Sequence, residues 1–280
     1  MTTRTRTIIL EALHHKVATG LPIVGGGAGI GLSAKCAEEA GLDFIVIYNS
    51  GRYRMAGRSS MAGLMPYGNA NEIVLEMGEE VLEVVRDIPV LAGVCATDPF
   101  RSIPRFLDQL KAMGFAGVQN YPTVCLFEGI IRANLEETGL GFDREVAMTA
   151  AARERDLLTA AYVASVDEAV AMAQAGADIL VPHMGLTTSG MIGAKTAFPL
   201  GEAVGRITEM LAAIRKVRDD AFVICHGGPI AGPDEVTHML AAVPGLQGFL
   251  GASSMERLPT EVAMTEHMRS YTRIPLARRA

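Results

Sequence analysis

Eight short apolar runs of β-type residues, each ending in glycine or a polar residue and each followed by a stretch with helical character, divide almost the whole chain into repeats. They fall at Pro22–Gly27, Asp43–Asn49, Pro89–Thr97, Ala116–Pro122, Leu158–Ser165, Asp178–His183, Ala221–His226 and Leu246–Ser253. Continuous apolar strands alternating with amphipathic helices imply parallel strands covered on both faces, and eight of them in about 250 residues is the number that closes a (βα)8 TIM barrel. Barrels of this class carry their chemistry on the loops that follow the strands, so the residues where each run turns polar are the first site candidates.

Nothing in the 280 residues reads as a linker, and the reading is one domain over residues 1–280. No leader-like segment opens the chain, and no apolar stretch approaches the roughly 18 residues that a membrane helix needs. The expectation is a soluble cytoplasmic protein with no membrane contact. Cys36, Cys95, Cys125 and Cys225 show no paired spacing and read as free thiols in a reducing compartment, or simply as small hydrophobes. A net charge of −6 without a basic stripe argues against a nucleic-acid partner, and Arg269, Arg273, Arg278 and Arg279 read as a solvated basic end. Fifteen methionines, no tryptophan and a mean hydropathy of +0.26 suggest more apolar surface than one core uses, so a homo-oligomer is expected.

The amphipathic stretch Thr7 to Thr19 precedes the first strand and suits a plug under the barrel, with His14 and His15 as structural residues. Gly41, Gly114 and Gly176 each stand just past a helix and just before a strand, as αβ turns require. Ser165 three residues before Glu168 is a reciprocal helix cap. The connections Asn49 to Asn69 and Thr123 to Thr149 are longer than a barrel requires and read as long loops, candidate lids over the site. The first holds Arg52, Arg54 and Arg58, an arrangement suited to anion capture or to a plain solvated loop.

Strand one ends in Gly25-Gly26-Gly27-Ala28-Gly29-Ile30-Gly31. No frame fits a dinucleotide fingerprint, and Leu32 stands where a P-loop needs lysine, so what survives is a glycine-rich floor on which backbone amides of Gly26 and Gly27 can approach a ligand. Strands seven and eight end in Cys225-His226-Gly227-Gly228-Pro229 and Gly251-Ala252-Ser253-Ser254. Barrels often bind phosphate on these two loops, so Gly227, Gly228, Gly251, Ser253 and Ser254 are candidates for seating an anionic group, with tight turns as the alternative. Strand three ends at Cys95-Ala96-Thr97-Asp98, and Glu128 follows strand four; two carboxylates on neighbouring strands can hold a hard cation. His183 and His226 end strands six and seven at equivalent positions and suit acid–base or metal-binding work. Lys195 could neutralise a carboxylate. Asn49, Ser50, Gln119 and Asn120 extend the polar ring, and Glu256 and Arg257 read as an ion pair with each other.

The strings Gly25-Gly26-Gly27-Ala28-Gly29, Asn49-Ser50-Gly51-Arg52, Gly93-Val94-Cys95-Ala96-Thr97-Asp98-Pro99-Phe100, Gly117-Val118-Gln119-Asn120, Ala133-Asn134-Leu135-Glu136-Glu137-Thr138-Gly139, His183-Met184-Gly185-Leu186-Thr187-Thr188, Cys225-His226-Gly227-Gly228-Pro229 and Gly251-Ala252-Ser253-Ser254-Met255-Glu256-Arg257 resemble the phosphoenolpyruvate hydrolase-like family, also described as TIM-barrel signal transduction proteins. The resemblance covers nearly the whole chain. It implies likeness to the wider phosphoenolpyruvate/pyruvate barrel superfamily, whose members use Mg²⁺ to chelate a 2-oxo acid and stabilise an enolate. Carried over, the metal-binding acids become Asp98 and Glu128. Only one acid follows strand three here, with no Asp-x-Asp pair and no Lys-Cys-Gly-His string.

The leading reading is therefore a metal-assisted hydrolase or lyase acting on a small anionic 2-oxo or phospho-carboxylic acid, with Mg²⁺ on Asp98 and Glu128. His183, His226, Lys195 and Cys95 are its candidate catalytic residues. Gly26, Gly27, Asn49, Ser50, Arg52, Gln119, Asn120, Gly227, Gly228, Gly251, Ser253 and Ser254 would line the substrate. A second reading puts Zn²⁺ on His183 and His226 with one carboxylate, for retro-aldol or retro-Claisen cleavage of a keto acid. A third is a non-catalytic metabolite-binding signalling module.

Overall fold

The computed structural model describes residues 5–277, so Arg278 and Arg279 lie outside the described residues. Each apolar run contains one strand: β1 (Ile23–Gly27), β2 (Phe44–Ile47), β3 (Val90–Val94), β4 (Gly117–Asn120), β5 (Leu158–Val163), β6 (Ile179–Pro182), β7 (Phe222–Val223) and β8 (Gly248–Gly251). All neighbours pair in parallel in the order β7-β6-β5-β4-β3-β2-β1-β8. The seam between β7 and β8 is a single bridge, Cys225 to Phe249, held by Cys225 N–H to the Gly248 carbonyl (3.0 Å) and Leu250 N–H to the Cys225 carbonyl (2.9 Å). The ring is thus a (βα)8 barrel. The strands stop short of the runs because their carboxyl ends diverge into the connections that follow them. β7 is the extreme case, continued only by isolated bridges, His226 to His183 on one side and Cys225 to Phe249 on the other.

The helices are α1 (Arg6–Ala18), α2 (Gly31–Glu39), α3 (Asn49–Met55), α4 (Ala70–Val81), α5 (Ile103–Met113), α6 (Gly129–Glu137), α7 (Phe142–Glu154), α8 (Val166–Gln174), α9 (Leu200–Val217), α10 (Pro233–Ala242) and α11 (Arg257–Thr272), and α1 lies under the end opposite the strands' carboxyl ends. Ile9 and Leu13 are buried there, the His14 ring packs 4.5 Å from that of Phe222, Arg6 pairs with Asp178, and Lys16 reaches Asp43 at 2.6 Å. Asp178 and Asp43 immediately precede β6 and β2, so these ion pairs fasten the plug to the inert rim. On that rim Gly41, Gly114 and Gly176 take φ of 75°, 104° and 87°, the left-handed conformation that closes a helix without Cβ strain. At the other face Ser165 caps α8 (Val166–Gln174), accepting from Glu168 N–H at 3.2 Å, while Glu168 reaches back to Ala164 N–H at 2.8 Å.

The two long connections are not loops. After β2 come α3 (Asn49–Met55) and a 3₁₀ turn (Ser60–Leu64). After β4 come a 3₁₀ turn (Val124–Leu126), α6 (Gly129–Glu137) and α7 (Phe142–Glu154). Their polar, small-residue composition conceals helices that tertiary contacts complete: α3 buries Asn49, Ser50, Gly51 and Arg54, all non-hydrophobic. The last helix, α11 (Arg257–Thr272), buries only Arg257 and exposes Val262, Met264, Met268 and Tyr271. Among the described residues no helix is long and apolar enough to cross a membrane. All four cysteines are free, Cys125 and Cys225 buried and Cys36 exposed.

Candidate active site

The inward-facing side chains at the ends of β2, β4, β5, β6 and β7 meet on the barrel axis. They are Tyr48, Tyr121, Tyr162, His183 and His226, all at least nine-tenths buried, around a chamber of about 30 Å³. That is room for about two water molecules. The rings pack closely: Tyr162 lies 4.8 Å from His183 and the two imidazoles are 4.6 Å apart, both edge to face, while Tyr162 lies 4.9 Å from His226 and Tyr121 4.7 Å from Tyr48, both tilted. The 3₁₀ turn after α3 closes the chamber. Ser50 Oγ donates to the Ser60 carbonyl (2.5 Å) and shares a 2.5 Å hydrogen bond with Tyr121 Oη, and Ser60 Oγ approaches Ser253 Oγ at 3.4 Å.

Hydrogen bonds assign the imidazole tautomers. His226 Nδ1–H donates to the Leu250 carbonyl (2.6 Å), so Nε2 is left as an acceptor, 3.3 Å from Tyr162 Oη. His183 Nδ1 accepts from Gly185 N–H (3.0 Å), which places its proton on Nε2. Burial drives both histidines neutral: His183 falls well below 6.5, aided by His226, and His226 falls to about 4. Burial also raises the Tyr121 and Tyr162 hydroxyls, so both stay protonated. The chamber therefore offers one uncharged base beside several uncharged donors.

Its wall contains one buried ion pair. Arg54 Nε and Nη2 donate to Glu256 Oε2 at 2.8 and 2.6 Å, and Glu256 Oε1 accepts from Gly29 N–H at 2.6 Å. Glu256 thus pairs with Arg54 rather than with Arg257, which instead binds Glu261. Of the three arginines after β2, Arg54 is committed to this pair, Arg52 binds Glu76 at the surface, and Arg58 caps the Gly57 carbonyl. None is a free cation aimed into the chamber.

Gly27 faces the chamber, where a Cβ would stand 3.1 Å from Tyr48 Oη and 3.3 Å from Arg54 Nη2. Gly26 and Gly251 do not: a Cβ on either would strike Leu42 or Met255. Ser253 lines the chamber. The amides of Gly227, Ser253 and Ser254 have no acceptor among the described residues, whereas that of Gly228 is taken by the Gly185 carbonyl. Ser254 Oγ is likewise buried without a partner, so the ends of β7 and β8 keep polar groups unspent. Gln119, wholly buried and turned to the axis like Tyr121 two residues on, has neither carboxamide atom paired. Asn120 points the other way, to Glu145 on α7.

Asp98, Cys95 and Asn49 line a second, wider cleft of about 580 Å³ beside the chamber, walled by Leu64, Met65, Phe100, Val124 and Phe127. Asp98 is occupied there by Asn71 Nδ2 (3.0 Å), Asn69 Nδ2 (3.3 Å) and Phe100 N–H (3.0 Å), and these donors with Arg101 hold its carboxyl below the usual range against its partial burial. Burial raises the Cys95 thiol, which contacts Thr97. Lys195 is exposed on the loop after β6 and joins neither cavity.

Neither donor set read from the sequence suits a divalent ion. Glu128 is exposed ahead of α6, outside the Asp98 cleft, and Asp98 already accepts from neutral amides and a backbone N–H. The two histidines have no carboxylate beside them, and the Gly185 amide engages one of His183's nitrogens. Among the described residues no three His, Cys, Asp or Glu side chains gather at a common point.

Sequence reading passed over Tyr48, Tyr121, Tyr162, Arg54 as an ion-pair partner, and Glu145. The tyrosines were visible as aromatic residues at polar strand ends, in the same position as His183 and His226. The Arg54–Glu256 pair spans 202 residues and left no local signal.

Comparison with known proteins agrees with this architecture. The chain is 56% identical over 275 residues to the ToMV resistance protein Tm-1 of Solanum lycopersicum, covering 98% of the chain but 36% of that protein, so it spans about a third of the relative's length. In fold it is similar to phosphoenolpyruvate phosphomutase from Streptomyces platensis subsp. rosaceus (TM-score 0.61, 16% identity, 96% and 88% of the two chains). It is also similar to phosphonopyruvate hydrolase in complex with oxalate and Mg²⁺ (TM-score 0.56, 17% identity, 98% and 93%). Residues 8–274 match the model of one family, and the chain belongs to it: the phosphoenolpyruvate hydrolase-like family.

Proposed function

We propose that the axial chamber is the active site of a hydrolase or lyase acting on a small 2-oxo or phospho-carboxylic acid. The observation that carries the reading is the meeting of a neutral base, His226 Nε2, with neutral donors, Tyr162 Oη and His183 Nε2–H, in one chamber that Ser253 also lines, with the amides of Ser253 and of Gly227 and Ser254, which follow His226 and Ser253 in sequence, left unspent. The amides and Ser254 Oγ would seat the anionic end, in the position where barrels of this class often bind phosphate. His226 would take the proton from water or from a substrate hydroxyl, and its Nδ1–H bond to the Leu250 carbonyl would steady the imidazolium that forms. Tyr162 and His183 would stabilise charge developing on the carbonyl oxygen as fixed, uncharged donors. No step is assigned to a metal ion, because the donor sets do not fit one. A substrate larger than two waters enters only when the Ser60–Leu64 turn releases its bonds to Ser50 and Tyr121.

The test is turnover of phosphonopyruvate, oxaloacetate and related acids by the wild type, Tyr162→Phe and His226→Asn. A general acid–base role predicts about 10²- to 10⁴-fold losses in kcat; unchanged turnover in both variants refutes the assignment. A second reading, a barrel that binds a metabolite and reports it to a partner, is favoured by the name of the tomato relative, a resistance protein. Tight binding of such an acid with no turnover at any pH would favour it.

A further inference from the structure

Two of the three chamber tyrosines are held from behind by one side chain. Glu145, on α7, is wholly buried and accepts from Asn120 Nδ2 (2.6 Å), Thr123 Oγ1 (2.7 Å) and Val124 N–H (2.7 Å). Asn120 and Thr123 bracket Tyr121 in sequence. Asn120 also spans to the next strand, where its Oδ1 accepts from Tyr162 N–H (2.7 Å) and its Nδ2 donates to the Tyr162 carbonyl (3.1 Å). One carboxylate thus ties the end of β4 to α7 and, through Asn120, to the end of β5.

Resting on the active-site reading above, we propose that Glu145 is a positioning residue that sets Tyr121 and Tyr162, and that its ionisation switches the chamber between an ordered and a loosened state. The reason is a count of protons. The carboxylate is a pure acceptor and satisfies all three donors; once protonated it has a proton to place, and of its three partners only Thr123 Oγ1 can accept it, so the bond that Thr123 donates is lost and that hydroxyl must turn round. No cation faces it to hold the charge. From α8 Glu168 faces it and repels, and Glu168 is itself paired with Arg132 of α6 at 2.7 Å. Arg132 is further shared with Glu136. Cys125, on the turn after β4, is neutral because burial lifts its thiol well above 9.0. On α7 itself Asp143, Arg144 and Arg153 are exposed. Burial, opposed by the three hydrogen bonds, raises the Glu145 carboxyl from 4.5 to about 7, so the change falls near neutral pH.

Glu145→Gln offers an amide where Asn120 needs an acceptor, and mimics the protonated form at every pH. The expected result is that wild-type kcat falls through an acid limb near pH 7 with KM little changed. In Glu145→Gln kcat would be about tenfold lower at pH 8, and the limb absent. Near-UV circular dichroism reads the same event without turnover, because the chain has six tyrosines and no tryptophan: the wild-type tyrosine signal should titrate near pH 7 and the variant's should not. Thr123→Val, which removes one donor, should move both titrations to higher pH and serves if Glu145→Gln does not fold. An acid limb and dichroism titration that persist in Glu145→Gln, or an unshifted midpoint in Thr123→Val, overturn the proposal. If no acid is turned over but the dichroism behaves as stated, the substrate assignment fails while the switch stands.

Discussion

The face of this barrel at the carboxyl ends of its strands carries two cavities built on opposite principles. The chamber on the axis measures about 30 Å³ and is walled by hydroxyls, imidazoles and a buried ion pair, several of them hydrogen-bonded in pairs. The cleft beside it measures about 580 Å³, is largely apolar, and presents Asp98 and Cys95 with their chemistry already spent: the carboxylate on amide donors, the thiol kept protonated. Size and reactivity part company here. Strand ends aim side chains at the axis from several directions, which crowds the centre and desolvates it. The cleft is formed between connections, where backbone and apolar side chains meet without converging.

The sharpest way to break this contrast is to remove half of the chamber's ion pair. Arg54→Leu leaves Glu256 buried without its cation, and a loss of about 3 to 5 kcal/mol in urea unfolding is expected; a loss below about 1 kcal/mol would mean that the chamber wall is as yielding as the cleft. The next effect is the acid response of the imidazoles. His226 binds its proton at about 4 when folded and at 6.5 when unfolded. Its contribution is therefore fully present above pH 6.5 and lost as pH falls toward 4, about 3 kcal/mol in all. Glu145, raised to about 7, works with the opposite sign, its burial costing stability as pH rises from 4.5 to 7. The His226 contribution is thus read as the difference between stability–pH curves for wild type and His226→Asn, and a flat difference would place His226 in water. The smallest effect is expected in the cleft. Asp98→Asn should cost about 1 kcal/mol, for the loss of a charged acceptor, and change turnover by less than about threefold. A hundredfold loss would move the chemistry from the axis to the cleft and restore Asp98 to the metal-binding role that the family resemblance implies.

The strand ends that sequence reading marked divide along the same line. His183, His226 and Gly27 face the chamber because strand alternation and the barrel's inward register turn their positions to the axis, whereas Ser50 at the start of α3 and Ser253 just past β8 reach it from the connections. Gly26 stands one residue from Gly27 and Asn120 one residue from Tyr121, and both face outward, so a shift of a single position separates a chamber residue from a packing residue. Arg52, Lys195 and Glu128 stand on helices and connections rather than on strands, and no periodicity fixes which way such residues point. The arginines after β2 show the limit most plainly. Arg52 and Arg54 are two residues apart with the same side chain, yet one meets Glu76 at the surface and the other Glu256 in the interior.

The sequence by itself determined eight parallel strands, the plug beneath them and the end at which side chains collect, because apolar periodicity and glycine placement are local and survive without a partner. The tertiary structure alone decided that three tyrosines and two histidines share one desolvated space, that Arg54 is neutralised by Glu256, and that a buried carboxylate on α7 stands behind Tyr121 and Tyr162. Those facts depend on distances between residues up to 202 positions apart. Burial and pairing across such separations set charge and proton affinity, and neither is written in any local stretch of the chain.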